Sequence, residues 1–133
     1  MTCEQGWAAG YFMAKASRVL VIDDDASVRD ALRLVLEDEG YAVVSASRGA
    51  EGVELLRAEG FDLVITDLRL PDMSGLDVLS AVRFERGRAI LISAHATHEV
   101  SAEARLRGAS GVLRKPFPPS DILRLVADAL ATD

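Results

Sequence analysis

The amino-acid sequence predicts an α/β protein built on a parallel sheet with helices on both faces, and three observations predict it. Short apolar runs of strand length recur along the 133 residues, at Arg18 to Ile22, Tyr41 to Ala46, Asp62 to Thr66, Ala89 to Ile92 and Gly111 to Arg114. Between them lie segments whose apolar residues recur at helical spacing, and that alternation is what parallel strands joined by crossover helices require. Residues of strong chemistry, Asp23, Asp24, Asp67, Ser93 and Lys115, stand at or just past the carboxyl ends of four of the runs.

Each element follows from local signals. After the first strand, Val28, Ala31, Leu32, Val35 and Leu36 fall on one helical face, and Gly40 is placed to close that helix with a left-handed cap. The second strand leads to a helix over Ala50 to Glu59, closed by Gly60. The third strand runs into Asp67, and the turn Pro71-Asp72-Met73-Ser74-Gly75 precedes a third helix over Leu76 to Arg83. Gly75 is expected to supply a positive φ there. A fourth helix over about Thr97 to Arg107 is closed by Gly108. Ser120 is a suitable cap for the last helix, whose apolar face is Ile122, Leu123, Leu125, Val126 and Leu130.

Composition narrows the class of function. Half of the residues are hydrophobic, enough for one self-sufficient core. The net charge of −6 leaves no basic stripe for phosphate backbones, so direct nucleic-acid binding is not expected. The lone Cys3 excludes an internal disulfide, and no apolar stretch approaches the roughly 18 residues of a membrane span. A cytoplasmic protein is the default expectation. Met1 to Ser17 stand outside the pattern: they carry Trp7, Tyr11 and Phe12 without a period, and Met13 offers a second start, so the segment reads as an extension or as a docking arm, with the domain proper over 18–133.

In a parallel sheet all carboxyl ends share one edge, where ligands bind. Asp23, Asp24 and Asp67 would therefore meet there with Ser93 and Lys115. Three acids so close raise each other's pKa unless a cation intervenes. Hard oxygen ligands favour Mg²⁺, which keeps waters for a phosphate to replace, while the lysine and the hydroxyl suit phosphoryl oxygens. His95 and His98, with no cysteine near, make a poor metal set; His95 is expected at the pocket entrance.

The strings Val19-Leu20-Val21-Ile22-Asp23-Asp24-Asp25, Asp62-Leu63-Val64-Ile65-Thr66-Asp67-Leu68-Arg69-Leu70-Pro71-Asp72-Met73-Ser74-Gly75, Ile90-Leu91-Ile92-Ser93-Ala94-His95 and Gly108-Ala109-Ser110-Gly111-Val112-Leu113-Arg114-Lys115-Pro116-Phe117 resemble the receiver domain of bacterial two-component response regulators. They occur in that family's order, and the match runs from about Arg18 to Leu130. The resemblance implies a flavodoxin-like, doubly wound sheet of order 2-1-3-4-5. It implies that Asp67 accepts a phosphoryl group from a sensor histidine kinase or phosphotransfer protein. Asp24 would bind Mg²⁺ directly, Asp23 mainly through water, and the Arg69 backbone carbonyl would be a further ligand beside Asp67. Ser93 matches the switch hydroxyl, Lys115 the phosphoryl-contacting lysine, and Pro116 the family's cis-proline. Such a domain is a phosphorylation switch and not an enzyme acting on an external substrate. Its state would pass on through helix four, strand five and helix five, to a partner or a homodimer. The sequence departs from the family at Val112, where many members place an aromatic residue.

A rival comes from a different class. Asp23-Asp24-Asp25-Ala26-Ser27 also resembles the Asp-x-Asp-x-Thr/Ser element of haloacid dehalogenase-type phosphatases, in which the first Asp is the nucleophile. That family needs a further acidic pair after the lysine. Only Asp121 and Asp128 are available, both on the last helical pattern, and Asp67 and the turn after it would go unexplained.

Overall fold

A computed structural model describes residues 16–131. Five strands, β1 (Arg18–Ile22), β2 (Ala42–Ala46), β3 (Leu63–Asp67), β4 (Ala89–Ser93) and β5 (Gly111–Arg114), alternate with five helices. The helices are α1 (Ala26–Asp38), α2 (Gly49–Glu59), α3 (Gly75–Phe84), α4 (His98–Leu106) and α5 (Pro119–Ala131). All strand pairs are parallel, in the order β2-β1-β3-β4-β5. This is the expected order 2-1-3-4-5.

Strand alternation divides the core in two. Val19, Val21, Leu63, Ile65, Ile90 and Ile92 face one way and pack with Leu32 and Leu36 of α1 and Ile122 and Val126 of α5. Leu20, Ile22, Val64 and Leu91 face the other way, against Leu56 of α2, Val78, Leu79 and Val82 of α3 and Ala104 of α4. A strand buried on both faces must be apolar at consecutive positions, which is why these runs lack polar alternation.

Helix ends follow a common device. Gly40 has φ +92°, its N–H donates to the Glu37 carbonyl, and the Tyr41 N–H reaches back to Leu36 at 3.1 Å. Gly108 at φ +96° closes α4 in the same way, with Ala109 N–H donating to Ala104. Both satisfy carbonyls that a helix end leaves orphaned. In α3 the left-handed position is taken by Arg86, at φ 61°, with Gly87 N–H donating to Val82 at 2.8 Å. The outer flank of β2 is partly covered, since Arg33 of α1 donates to the Val43 carbonyl at 3.0 Å and to Ser45 Oγ at 3.2 Å.

Two local expectations need correction. Ser120 does not cap the last helix: α5 already begins at Pro119, whose missing N–H costs nothing in a first turn, so Ser120 lies inside it. Gly75 is not among the glycines of positive φ, which are Gly40, Gly60 and Gly108. It is required by closeness instead, because a Cβ there would collide with the Asp67 carbonyl oxygen and lie 2.9 Å from Leu68 Cα. Of the segment Met1 to Ser17, residues 1–15 lie outside the described residues; the Ser17 carbonyl accepts from Ala42 N–H at 2.9 Å, at the margin of the sheet.

Candidate functional site

β1 and β3 lie side by side in the sheet, so their carboxyl ends bring Asp23, Asp24 and Asp67 to one edge. One oxygen from each of the three carboxylates falls within 4.8 Å of the others. Asp23 is fully buried, as the continuation of β1: its N–H still donates to Ala46 of β2 at 3.1 Å. Its carboxylate accepts the Asp25 N–H at 2.9 Å and the Lys115 ammonium at 2.7 Å, and its carbonyl accepts from Arg29 at 2.6 Å. Asp24 is exposed, and among the described residues no hydrogen bond or ion pair engages its carboxylate. Asp25 is the N-cap of α1: its carboxylate accepts from the N–H and hydroxyl of Ser27, which hold it below the ordinary aspartate value.

Asp67 ends β3 and keeps only 8% of its surface exposed. Its carboxylate accepts the Leu68 N–H at 2.8 Å and faces Lys115 Nζ at 3.4 Å. Burial, and after it the negative charge of Asp23, push the Asp67 carboxyl above the ordinary aspartate value against the pull of Lys115. Burial alone would lower Lys115, but its hydrogen bond to Asp23 and the charges of Asp23 and Asp67 outweigh that and hold it above the ordinary lysine value. One ammonium is thus shared by two acids.

Lys115 reaches them from just past β5, and its N–H donates to the Ser93 carbonyl at 2.9 Å, which fastens the neighbouring strand end. The Lys115–Pro116 peptide is cis. Ser93 ends β4, is buried, and its Oγ accepts the His95 N–H at 2.9 Å. All five predicted site residues therefore converge on one edge. Arg69 lies two residues past Asp67, exposed, in a loop pinned by the Gly75 N–H to Leu68 at 2.6 Å and by an antiparallel bridge to Ser74. His95 is likewise exposed.

The donor set fits a small hard cation. Three carboxylates offer oxygens, one of them free of other partners, and the charge they concentrate is only part-matched by one lysine. Beside Lys115 an apolar cleft of about 530 Å³ runs between α1 and the loop before α5, lined by Val28, Leu32, Ala94, Phe117 and Ile122 among others. Asp121 and Asp128 both lie within α5. No further carboxylate joins the trio among the described residues.

Sequence reasoning missed one polar contact of the site loop. The Asp72 carboxylate accepts the N–H of Gly49 and of Ala50, each at 2.9 Å, and so closes the start of α2 from another part of the chain. The cap position of α2 itself is Arg48, whose side chain makes no capping bond. These two amides hold Asp72 below the ordinary aspartate value.

Comparison with known proteins agrees with the geometry. The family model described as the response regulator receiver domain matches residues 19–127. The chain is 39% identical over 115 residues to the alginate biosynthesis transcriptional regulatory protein AlgB of Pseudomonas aeruginosa, which covers 85% of this chain and 25% of that protein. It therefore spans about a quarter of that relative's length. A crystal structure of a CheY-like response regulator receiver domain protein from Methanospirillum hungatei superposes with a TM-score of 0.83 at 32% identity, over 87% of this chain and 94% of that one. The beryllofluoride-activated NtrC4 receiver domain dimer, solved in solution, matches with a TM-score of 0.82 at 28% identity, over 86% and 96% of the two chains.

Proposed function

The chain belongs to the response regulator receiver family of two-component signalling, and from that premise we propose that Asp67 is the residue on which it carries a phosphoryl group. One observation carries the assignment. Asp67 shares a single ammonium with a second, fully buried acid, at 3.4 Å and 2.7 Å, at an edge where the next strand presents a hydroxyl. A structural ion pair needs one acid; Asp23 is the one that takes the ammonium at the shorter distance, and Asp67, the less enclosed of the two, is the carboxylate left over for chemistry.

In the transfer, an Asp67 carboxylate oxygen attacks the donor phosphorus, the phosphorus–nitrogen bond of a phosphohistidine breaks, and its electron pair stays on the imidazole. An acyl phosphate results. Lys115 holds a phosphoryl oxygen as a point charge, and Ser93, whose Oγ lone pair already engages the His95 N–H, turns its hydroxyl hydrogen to another. The carboxylates of Asp23, Asp24 and Asp67 with the Arg69 backbone carbonyl would hold Mg²⁺, which neutralises their repulsion and that of the incoming phosphoryl oxygens. No external substrate is turned over: the protein modifies itself and is a switch, not an enzyme.

Receiver domains take their phosphoryl group from histidine kinases or phosphotransfer proteins, and the apolar cleft beside Lys115 gives a protein donor something to rest on. The same reading assigns the domain to the cytoplasm without direct contact to nucleic acid. Among the described residues no helix is long and apolar enough to cross a membrane. For output the reading takes a homodimer through α4, β5 and α5; that the beryllofluoride-activated NtrC4 receiver is a dimer supports pairing as a means of output. Val112 packs half-buried in the core beneath α4 with no aromatic ring to rotate, so the movement rests on Ser93 and the loop that follows it.

Treatment with acetyl phosphate and Mg²⁺, read by intact mass, tests the assignment. Wild type should gain one phosphoryl group and Asp67→Asn none. Undiminished labelling of the variant, or a label mapped to Asp23, would overturn it and favour the phosphatase-like alternative.

A further inference from the structure

Asp72 is unexplained by the site as so far described, yet its two contacts are the most specific side-chain bonds of the loop beyond Asp67. Its oxygens accept two successive amides, Gly49 and Ala50, at 2.9 Å each, across 23 and 22 residues of chain. A helix start ordinarily draws this service from its own cap residue. Arg48 has the extended backbone that such a cap needs, φ −132° and ψ 150°, but a side chain that provides no cap. Beside Asp72, Met73 lies directly over Gly49, where a Cβ would collide with the methionine Cγ and stand 2.6 Å from Sδ. The tip of the loop is thus seated on α2 by one polar and one apolar contact. At its base the loop is closed by Gly75 N–H to Leu68 and by the Arg69–Ser74 bridge.

We infer that Asp72 is a positioning residue for phosphoryl transfer: by borrowing the start of α2 as an anchor it fixes the loop that carries the Arg69 carbonyl, and so the preformed shape of the Mg²⁺ site. The inference rests on the reading of Asp67 as acceptor and of Asp23, Asp24 and the Arg69 carbonyl as metal ligands. A loop held only at its base would sample many carbonyl orientations, and a cation would have to order it on binding. With the tip anchored, that ordering is already done. The carboxylate itself touches no reacting atom.

The arrangement allows the anchor to be separated from the helix cap. In Asp72→Ala both are lost. In Arg48→Ser/Asp72→Ala the serine caps α2 from its own position, and since one cation and one anion are removed together, the net charge is that of the wild type. Mg²⁺ affinity by titration calorimetry, melting temperature in EDTA, and the initial rate of labelling by acetyl phosphate would be measured on the full chain. Asp72→Ala should melt earlier, bind Mg²⁺ about tenfold more weakly, as partners behind metal ligands commonly do, and label more slowly at a fixed subsaturating Mg²⁺ concentration. The double variant should regain the melting temperature while its Mg²⁺ affinity stays weak. Asp72→Asn, which keeps one acceptor oxygen, should fall between wild type and Asp72→Ala in both. Recovery of Mg²⁺ affinity together with stability in the double variant, or wild-type affinity in folded Asp72→Ala or Asp72→Asn, would overturn the inference and leave Asp72 a helix cap only. Failure of the wild type itself to bind Mg²⁺ would bring down the functional reading, and this inference with it.

Discussion

Replacing Lys115 with Met removes the ammonium that stands between two acids. Asp23 has no exposed surface; it loses its 2.7 Å partner and keeps the Asp25 N–H at 2.9 Å. Stranding one member of a fully buried pair costs about 3–5 kcal/mol. The Lys115 side chain retains 19% exposure and one amide bond to Asp23 survives, so the lower end applies, about 3 kcal/mol. For a domain of this length each kcal/mol moves the midpoint by about 3–5 °C, so metal-free Lys115→Met should melt about 10–15 °C below wild type. Adding Asp23→Asn removes the stranded charge and should return at least half of the loss. The pH dependence has a definite sign. Because Lys115 is held above its ordinary value of 10.5, the pair's contribution is complete below that value and disappears as pH rises through the higher folded-state value. Wild type and Lys115→Met should therefore converge in strong alkali. Thermal denaturation followed by far-ultraviolet circular dichroism in EDTA is sufficient. A single variant within about 0.5 kcal/mol of wild type, or a double variant no more stable than the single, would refute the account of Lys115 as the counter-charge of a buried acid.

Asp67→Asn should stabilise the metal-free protein at neutral pH: the raised Asp67 carboxyl favours folding while protonated, and its penalty grows as pH climbs from 3.8 through the folded-state value, so the gain of the variant should shrink toward acid pH and its absence at pH 7 would count against the repulsion. Arg69 is exposed and its side chain engages no partner among the described residues, which leaves it free to cover the phosphoryl group on Asp67. Arg69→Asn should then speed loss of the phosphoryl group by a few-fold to tenfold, or about 1 kcal/mol, and an unchanged or slower decay followed by intact mass would exclude that shielding. Saturating beryllofluoride should shift sedimentation toward a dimer, and Arg124→Glu, on exposed α5 beside Asp121, should alter the shift; unchanged sedimentation would point to a different protein as the receiver of the signal.

The sheet and the five convergent side chains were legible because both are written locally. A strand covered on both faces has to be apolar throughout, and the residue that follows it has to sit at the edge where strands end, so Asp23, Asp67, Ser93 and Lys115 could be placed from the position of each run alone. What escaped was whatever depends on a neighbour from elsewhere. Gly75 reads as a turn glycine because turns are the common reason for one; that a backbone passes too near for any Cβ becomes visible only when Asp67 and α3 are assembled. Asp72 in a Pro-Asp turn is ordinary, and nothing local names Gly49 and Ala50 as its partners. Ser120 failed for the opposite reason: a good cap residue was present, but Pro119 before it already has the fixed φ of a first helical turn. Arg86 in a left-handed conformation could not be inferred either, since Gly87 is its neighbour and is the residue usually chosen for that geometry.

The Arg33 contact on β2 has a consequence for how this chain behaves among copies of itself. β2 is an outermost strand, and Val43 and Ser45 point away from β1, so their backbone groups would offer a template to any extended segment that met them. Arg33 occupies the Val43 carbonyl and the Ser45 hydroxyl, with Glu37 beside it at 3.2 Å, and places a charged, hydrated group where an invading strand would lie. A newcomer would have to displace a guanidinium from a bond it already makes. Crowded in a cell, or concentrated for an experiment, the domain is guarded on this flank against growing by strand addition.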